Sequence, residues 1–265
     1  LALSVGVIGI VNFAHGEFLM LGAYLAYWLF VLAGVDPLLA LVPGGALLFA
    51  IGAALYVGGI RRILKAPELN QMLFTFGVSV FLQNLALILW QGNPRVINVP
   101  YRAASLMVGP VSIGVGRLLV FALAALLVGL LAALLKGTRI GKAIVAVGQN
   151  RLGAQLVGIE VDQVYVLAFG MAAALAGMAG VMLNIVLYAH PLIGLTFTLK
   201  AFAIVVLAGL GNVMGSLWAS LILGVAESAV GTYVPQGTGW ADGVFFIVIL
   251  LVLLVRPAGL GGEGR

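Results

Sequence analysis

The sequence predicts an all-α fold: a polytopic membrane helix bundle of about eight spans, with inverted-repeat character and broken or re-entrant helices. Three observations carry this prediction. Hydrophobic residues make up 63% of the 265-residue chain and charged residues 8%, and the mean hydropathy is +1.23. A soluble core cannot absorb that much apolar surface, whereas a bilayer can. The apolar residues also fall into runs long enough to cross a hydrocarbon core about 30 Å thick. Finally, glycines and polar residues interrupt two of the runs, one near each end of the chain.

The elements follow in order. The run 1–13 opens inside an apolar stretch without an initiator Met, so part of a first span is expected to be missing. Spans are predicted near 17–35, 38–60, 70–91, 113–135 and 164–188, then a long apolar stretch over 198–230 and a last span near 242–256. That last span ends at Arg256-Pro257, where an interfacial cation meets a residue that interrupts helix. Abundant glycine, 37 residues, fits closely packed membrane helices. No cleavable signal peptide is evident, and the chain reads as one transmembrane domain over 1–265.

Basic residues set the orientation. Placing 61–69, 136–163 and 257–265 on the cytoplasmic side puts Arg61, Arg62, Lys65, Lys136, Arg139, Lys142, Arg151, Arg256 and Arg265 inside or at that border. Arg95, Arg102, Arg117 and Lys200 then fall on the other side. This topology forces 198–230 to enter and leave on one side. As a straight helix its 33 residues would be about 50 Å long at 1.5 Å per residue, too long for the core, so it is expected to break at Gly209-Leu-Gly-Asn212-Val-Met-Gly215 into two short helices. A matching interruption, Gly9-Ile-Val-Asn12-Phe-Ala-His15-Gly16-Glu17, lies near the start. Interrupted helices in corresponding positions of two halves point to the central site of a transporter.

Candidate pathway residues come from these breaks. Asn12, His15 and Glu17 are polar at membrane depth, where such residues are costly and face an interior or a pathway. A competing reading makes Gly16-Glu17 an interfacial turn, with the carboxylate favoured at a helix N-terminus. Thr196, Thr198, Asn212 and Ser216 join them from the second break, although Ser and Thr in membrane helices often bond a carbonyl of their own helix. Glu227 and Asp242 look isolated.

The polar segment 136–163 differs in kind: a basic approach, then a short amphipathic helix near 149–157 that Gly158 can end. Leu152, Leu156 and Val157 would offer it an apolar anchor, for a membrane surface or a groove on another protein, against the alternative of a merely solvated connection. Within it, Gly137-Thr-Arg-Ile-Gly141-Lys142-Ala143 imitates a phosphate loop but has three residues between the glycines and Ala in place of Ser or Thr. No nucleotide site is therefore legible, and any ATP used must be hydrolysed elsewhere. The absence of cysteine and the presence of only two histidines give no metal site, no cofactor is implied, and the cations do not cluster as in a nucleic-acid binder. No H-E-x-x-H, G-x-S-x-G or intramembrane carboxylate pair gives an enzyme a reactive centre.

Three stretches, Gly6 to Tyr24 with Asn12-Phe-Ala-His15-Gly16-Glu17, Ala146 to Ile159, and Lys200 to Ser216, resemble the permease subunits of branched-chain amino acid (LIV-type) ABC importers, as does the tail Arg256-Pro257-Ala-Gly259-Leu260. The resemblance spans essentially the whole chain. It implies a bacterial cytoplasmic (inner) membrane protein that shares a translocation path with a second, homologous permease. Two cytoplasmic ATP-binding subunits and an extracytoplasmic solute-binding protein would complete the assembly. It also implies that 136–163 is the coupling segment, with Gln149, Asn150, Arg151, Gln155, Leu156 and Gly158 docking on an ATPase subunit; Leu152 and Gly153 depart from the residues expected there. The solute stays open among branched-chain and other amino acids, amides and urea. The alternative from the residues themselves is a passive channel or an ion-coupled secondary transporter for a small polar solute.

Overall fold

The computed structural model describes residues 1–235 and 237–255; Arg256-Pro257, the tail through Leu260 and Arg265, and the side chain of Asp242 lie outside the described residues. Among the described residues the regular structure is helical apart from one hairpin. In order it forms α1 (Ala2–Ile8), α2 (His15–Ala33), α3 (Pro37–Ile63), α4 (Glu68–Trp90) and α5 (Pro100–Ala103). Strands β1 (Ser105–Val108) and β2 (Val111–Gly114) come next, then α6 (Val115–Gly137), α7 (Arg139–Gln149), α8 (Arg151–Leu156), α9 (Val161–Val186), α10 (Ile193–Ala208), α11 (Val213–Tyr233) and α12 (Gly237–Val255).

By length and composition, six of the described helices can cross a membrane: α2, α3, α4, α6, α9 and α11. The expected interruptions are present. The first run ends as the short α1, and the chain runs without regular structure from Gly9 to α2. The stretch 198–230 breaks between Ala208 and Val213 as predicted, but only α10 is short. At 16 residues it is about 24 Å long, whereas the 21 residues of α11 reach about 31 Å, a full crossing. The β1–β2 hairpin, with Leu106 opposite Ile113 and Val108 opposite Val111, is a small addition to the all-α bundle. Its strands are four residues each, too short to register as apolar spans.

The core is α9 packed between α2 and α3, and it is the most buried of the six spans. Small residues make this possible. A Cβ on Gly22 of α2 would come within 2.8 Å of Gly177 Cα, and one on Gly180 of α9 within 2.9 Å of Ala23 N. Without a hydrophobic driving force between helices in lipid, such close backbone approach, through dispersion and interhelical hydrogen bonds, holds a bundle together. Asn184 adds one such bond, donating from Nδ2 to the Ala23 carbonyl at 2.9 Å. By contrast, α6 has no fully buried residue in its most apolar window, as a helix with a broad lipid-facing side would.

Two arginines outside the predicted cytoplasmic set have structural work. Arg102 donates to the carbonyls of Ile97, Asn184 and Leu187 at 3.2, 3.1 and 2.7 Å, closing the C-terminal end of α9. The orphan carbonyls there carry the negative end of the helix dipole, so a cation suits them. Arg95 donates to Trp90 O at 3.3 Å, at the end of α4, and pairs its backbone with Ala189. Glu227, expected to be isolated, instead bonds Lys200 across α10 and α11 at 2.7 Å. The wide separation of the two residues in the chain hid that pair from the sequence.

Candidate functional site

The first break is a stretch of unwound backbone whose polar groups are all the more costly if they face lipid. Two neighbouring helices satisfy them. From α4, Thr75 accepts the Phe13 N–H at 3.2 Å and lies 3.3 Å from the Val11 carbonyl. From α10, Thr198 accepts the Gly16 N–H at 2.9 Å and donates to the Gly194 carbonyl at 2.9 Å. Asn12 closes the turn itself, its Oδ1 accepting the Ala14 N–H at 3.0 Å.

Glu17 comes next, in the first turn of α2, and is fully buried. Its Oε1 accepts from Ser79 Oγ and from Gln83 Nε2, both at 2.8 Å. Its Oε2 is buried with no hydrogen-bond partner among the described residues, and the carboxyl lies flat against Gly194, where an added Cβ would be 2.5 Å from Oε2. His15, two residues earlier, is also buried and lines a separate cavity; its Nε2 lies 3.0 Å from the Leu1 nitrogen, and its Nδ1 has no partner among the described residues. The structure thus brings Asn12, His15, Glu17 and Thr198 into one buried neighbourhood, with Gly16 seated on Gly194. Thr196 and Asn212 are not part of it, whereas Ser216 lines a cavity of about 290 Å³ together with His15. Thr196 is exposed, while Asn212 and Ser216 sit at the second break.

Sequence reasoning missed the α4 side of this neighbourhood. Thr75, Ser79 and Gln83 recur every four residues, which places them on one face of α4 turned toward the break and Glu17. That spacing inside an otherwise apolar run was the signal that could have found them.

The second break repeats the devices of the first. Gly209, like Gly9, ends a helix at positive φ, +88° against +77°, a region favourable only to glycine. Asn212, like Asn12, turns its side chain onto the backbone just beyond it, its Oδ1 accepting the Gly215 N–H at 2.7 Å and so capping α11. Ser216 donates back to the Asn212 carbonyl at 2.9 Å, the within-helix bond weighed from its sequence position.

The polar segment forms two helices rather than one. Thr138 caps α7 through the Gly141 N–H at 2.9 Å, and Asn150 caps α8 through the Gly153 N–H at 2.8 Å. The amphipathic helix predicted near 149–157 therefore starts at Arg151, because Asn150 is its cap and Gln149 closes α7. Gly158, at φ +83°, ends it as expected, with Ile159 N–H bonded to the Ala154 carbonyl. Gly141, the residue of the phosphate-loop imitation, is a packing contact: its Cβ would come within 2.5 Å of Leu135 Cα where α7 folds back on α6. On α8, Leu152, Leu156 and Val157 are 73, 88 and 76% exposed. Behind them Arg151, Gln155 and Gly158 line a cleft of about 560 Å³ that ends on Tyr56, Asp162 and Tyr165. Asp162 also pairs with Arg61 at 3.1 Å.

A contact path joins the polar segment to the second break. Gly148 of α7 packs on α1, where a Cβ would lie 2.9 Å from the Gly6 carbonyl oxygen. Gly6 in turn meets Gly211, whose Cβ would lie 3.0 Å from Gly6 Cα.

Span-length helices around two internally hydrogen-bonded breaks, with a polar helical pair outside them, define a multi-pass membrane transport protein. The comparisons give its family. The model for "Branched-chain amino acid transport system / permease component" matches residues 1–253, and the chain belongs to that family. It is 33% identical to the high-affinity branched-chain amino acid transport system permease protein LivH of Salmonella typhimurium, over 97% of this chain and 87% of that protein. It is 32% identical to the high-affinity branched-chain amino acid transport system permease protein BraD of Pseudomonas aeruginosa, over 97% of this chain and 88% of that protein. The ribose import permease protein RbsC of Escherichia coli is 28% identical over 78% of this chain and 66% of its own length. No solved structure matches. The chain is accordingly a permease subunit of an ABC importer in the cytoplasmic membrane, a transport component and not itself an enzyme.

Proposed function

We propose that this chain forms half of an amino acid translocation path, most directly for branched-chain amino acids, and receives its driving force at α7 and α8 from separate ATP-binding subunits. The carrying observation is the pairing of a capped helix, α8, whose apolar side chains are exposed, with an unbroken series of close backbone contacts from α7 through Gly148, Gly6 and Gly211 to the second break. Close-packed backbone transmits displacement because it has no soft side chains to absorb it. Movement imposed on the polar segment would therefore reach the break. The remaining partners in this reading are a second, homologous permease and an extracytoplasmic solute-binding protein, with 136–163 facing the cytoplasm. Amino acids are favoured over sugars as the solute because the relatives named for branched-chain amino acids match more of the chain at higher identity than the ribose permeases do.

The test is reconstitution in proteoliposomes with the neighbouring gene products. Labelled leucine should accumulate only with ATP and the solute-binding protein, and uptake by this chain alone, indifferent to ATP, overturns the proposal. Arg151→Glu and Gly158→Pro probe the coupling role. Proline fixes φ near −65°, incompatible with the +83° at Gly158, so the end of α8 should be lost. Both variants should insert in the membrane yet lose transport-linked ATP hydrolysis; full coupling in both removes the case for docking at α8.

A further inference from the structure

Glu17 poses a problem that the resident side chains do not solve. A carboxyl buried at the start of a membrane-spanning helix is expensive, and such groups persist where they pair with a cation or serve a pathway. The ion pairs among the described residues are Arg61–Asp162 and Lys200–Glu227, and neither includes Glu17. Its partners are a hydroxyl and a carboxamide, both on Oε1. Two donors converging on one oxygen mark it as an acceptor, and a carboxylate offers about four acceptor sites over its two oxygens. Oε2 uses none of them, although it is fully buried.

The surroundings specify what would complete the site. Gly194 removes any side chain from the face of the carboxyl, and Gly16 and Thr198 hold α10 against it. The donors Ser79 and Gln83 come from α4, which has little of its apolar surface buried and which the polar face holds against α2. Gln83 is only partly buried, so the site borders the surface of the chain along α4. A compact cation with hydrogens to donate, delivered from outside the chain, would satisfy Oε2.

We infer that Glu17 is the recognition site for the ammonium group of the transported solute, with Oε2 accepting from it while Ser79 and Gln83 hold Oε1. This rests on the amino acid importer reading and narrows it: the solutes carried bear a primary ammonium, and their deaminated analogues are excluded at the permease itself. Charge-assisted bonds of this kind are about twice as strong as neutral ones, enough to make the ammonium the decisive group.

The experiment uses the complete reconstituted complex with ¹³C-carboxyl-labelled glutamate. The chain has five glutamates, Glu17, Glu68, Glu160, Glu227 and Glu263, so the Glu17 resonance is assigned by its loss in Glu17→Gln or Glu17→Asp. Leucine and isoamylamine, which share the ammonium, should shift that resonance, and isocaproate, which keeps only the carboxylate, should not. In uptake, Glu17→Gln should lower leucine transport about tenfold or more, the loss expected when one partner of a buried charge pair is removed, and Glu17→Asp should recover part of it. A resonance unmoved by leucine, or moved equally by isocaproate, overturns the inference, as does wild-type leucine uptake by Glu17→Gln. A role limited to fastening α4 predicts the unmoved resonance. Failure of the unaltered complex to take up leucine would instead defeat the importer reading, so the two failures are distinguishable.

Discussion

Gly180→Ala tests the packing argument on which the bundle rests. The substitution adds one methyl group to the middle of α9. That methyl would sit 2.7 Å from the Leu19 carbonyl carbon, 2.9 Å from Ala23 N and nearer still to the Leu19 oxygen. All three obstacles are backbone of α2, so no rotamer change relieves them. Restoring ordinary contact at about 3.4 Å with the nearest of them, the Leu19 oxygen, requires α2 and α9 to part by roughly 1.5 Å locally. Overpacking of this kind costs about 1–3 kcal/mol. The same displacement stretches the 2.9 Å bond from Asn184 to Ala23 O, and an interhelical bond in a membrane is worth about 0.6 kcal/mol on average. The sum is about 2–4 kcal/mol, a shift of roughly 30- to 800-fold in the folding equilibrium. Unfolding of the purified chain in mixed micelles, followed by tryptophan fluorescence against denaturing detergent, measures it. Gly129→Ala on the exposed α6 is the control, since nothing lies within 4 Å of its added methyl. A Gly180→Ala midpoint matching the control would refute the claim that backbone contact between α2 and α9 holds the core.

Arg102→Ala should destabilise the bundle by about 1–3 kcal/mol, because carbonyls at the end of α9 lose a charged donor, and faster hydrogen exchange in the last turn of α9 is the expected sign. Unchanged exchange there would show that water replaces the arginine without loss. The Tyr101 hydroxyl donates to Asp36 Oδ1 at 2.9 Å, and burial first, then that bond and the carboxylate charge, push its ionisation above the ordinary value of 10.0. A raised folded-state pKa gives stability that is complete below the unfolded value and declines as pH rises past 10.0 toward the folded one. Wild type should therefore lose stability above pH 10.0 more steeply than Tyr101→Phe, and parallel profiles would contradict the assignment.

Legibility in the sequence tracked the range of the interaction. Hydropathy is a property of consecutive residues, so the membrane class and the positions of α2, α3, α4, α6 and α9 were readable within a few positions. The breaks were readable for the same reason: Gly9 and Gly209 adopt positive φ, Asn12 closes a local turn and Asn212 caps a helix, all with neighbours in the chain. Gly158 as a helix stop belongs with them. The start of α8 was missed by two residues because Gln149 and Asn150 are equally polar, and only the capping geometry separates them.

Sequence alone determined that the chain is a membrane bundle with two interrupted helices and one polar segment, and its motifs carried the resemblance to the permease family. Tertiary structure decided the rest. It chose Ser79 and Gln83 as the partners of Glu17, Thr198 as the partner of Gly16, and Gly6 as the link between Gly148 and Gly211. Lys200 with Glu227, and Arg102 with the end of α9, belong to the same class. The physical reason is that each of these contacts joins residues far apart in the chain, and a polar atom at membrane depth specifies that it needs a partner without specifying which helix supplies it.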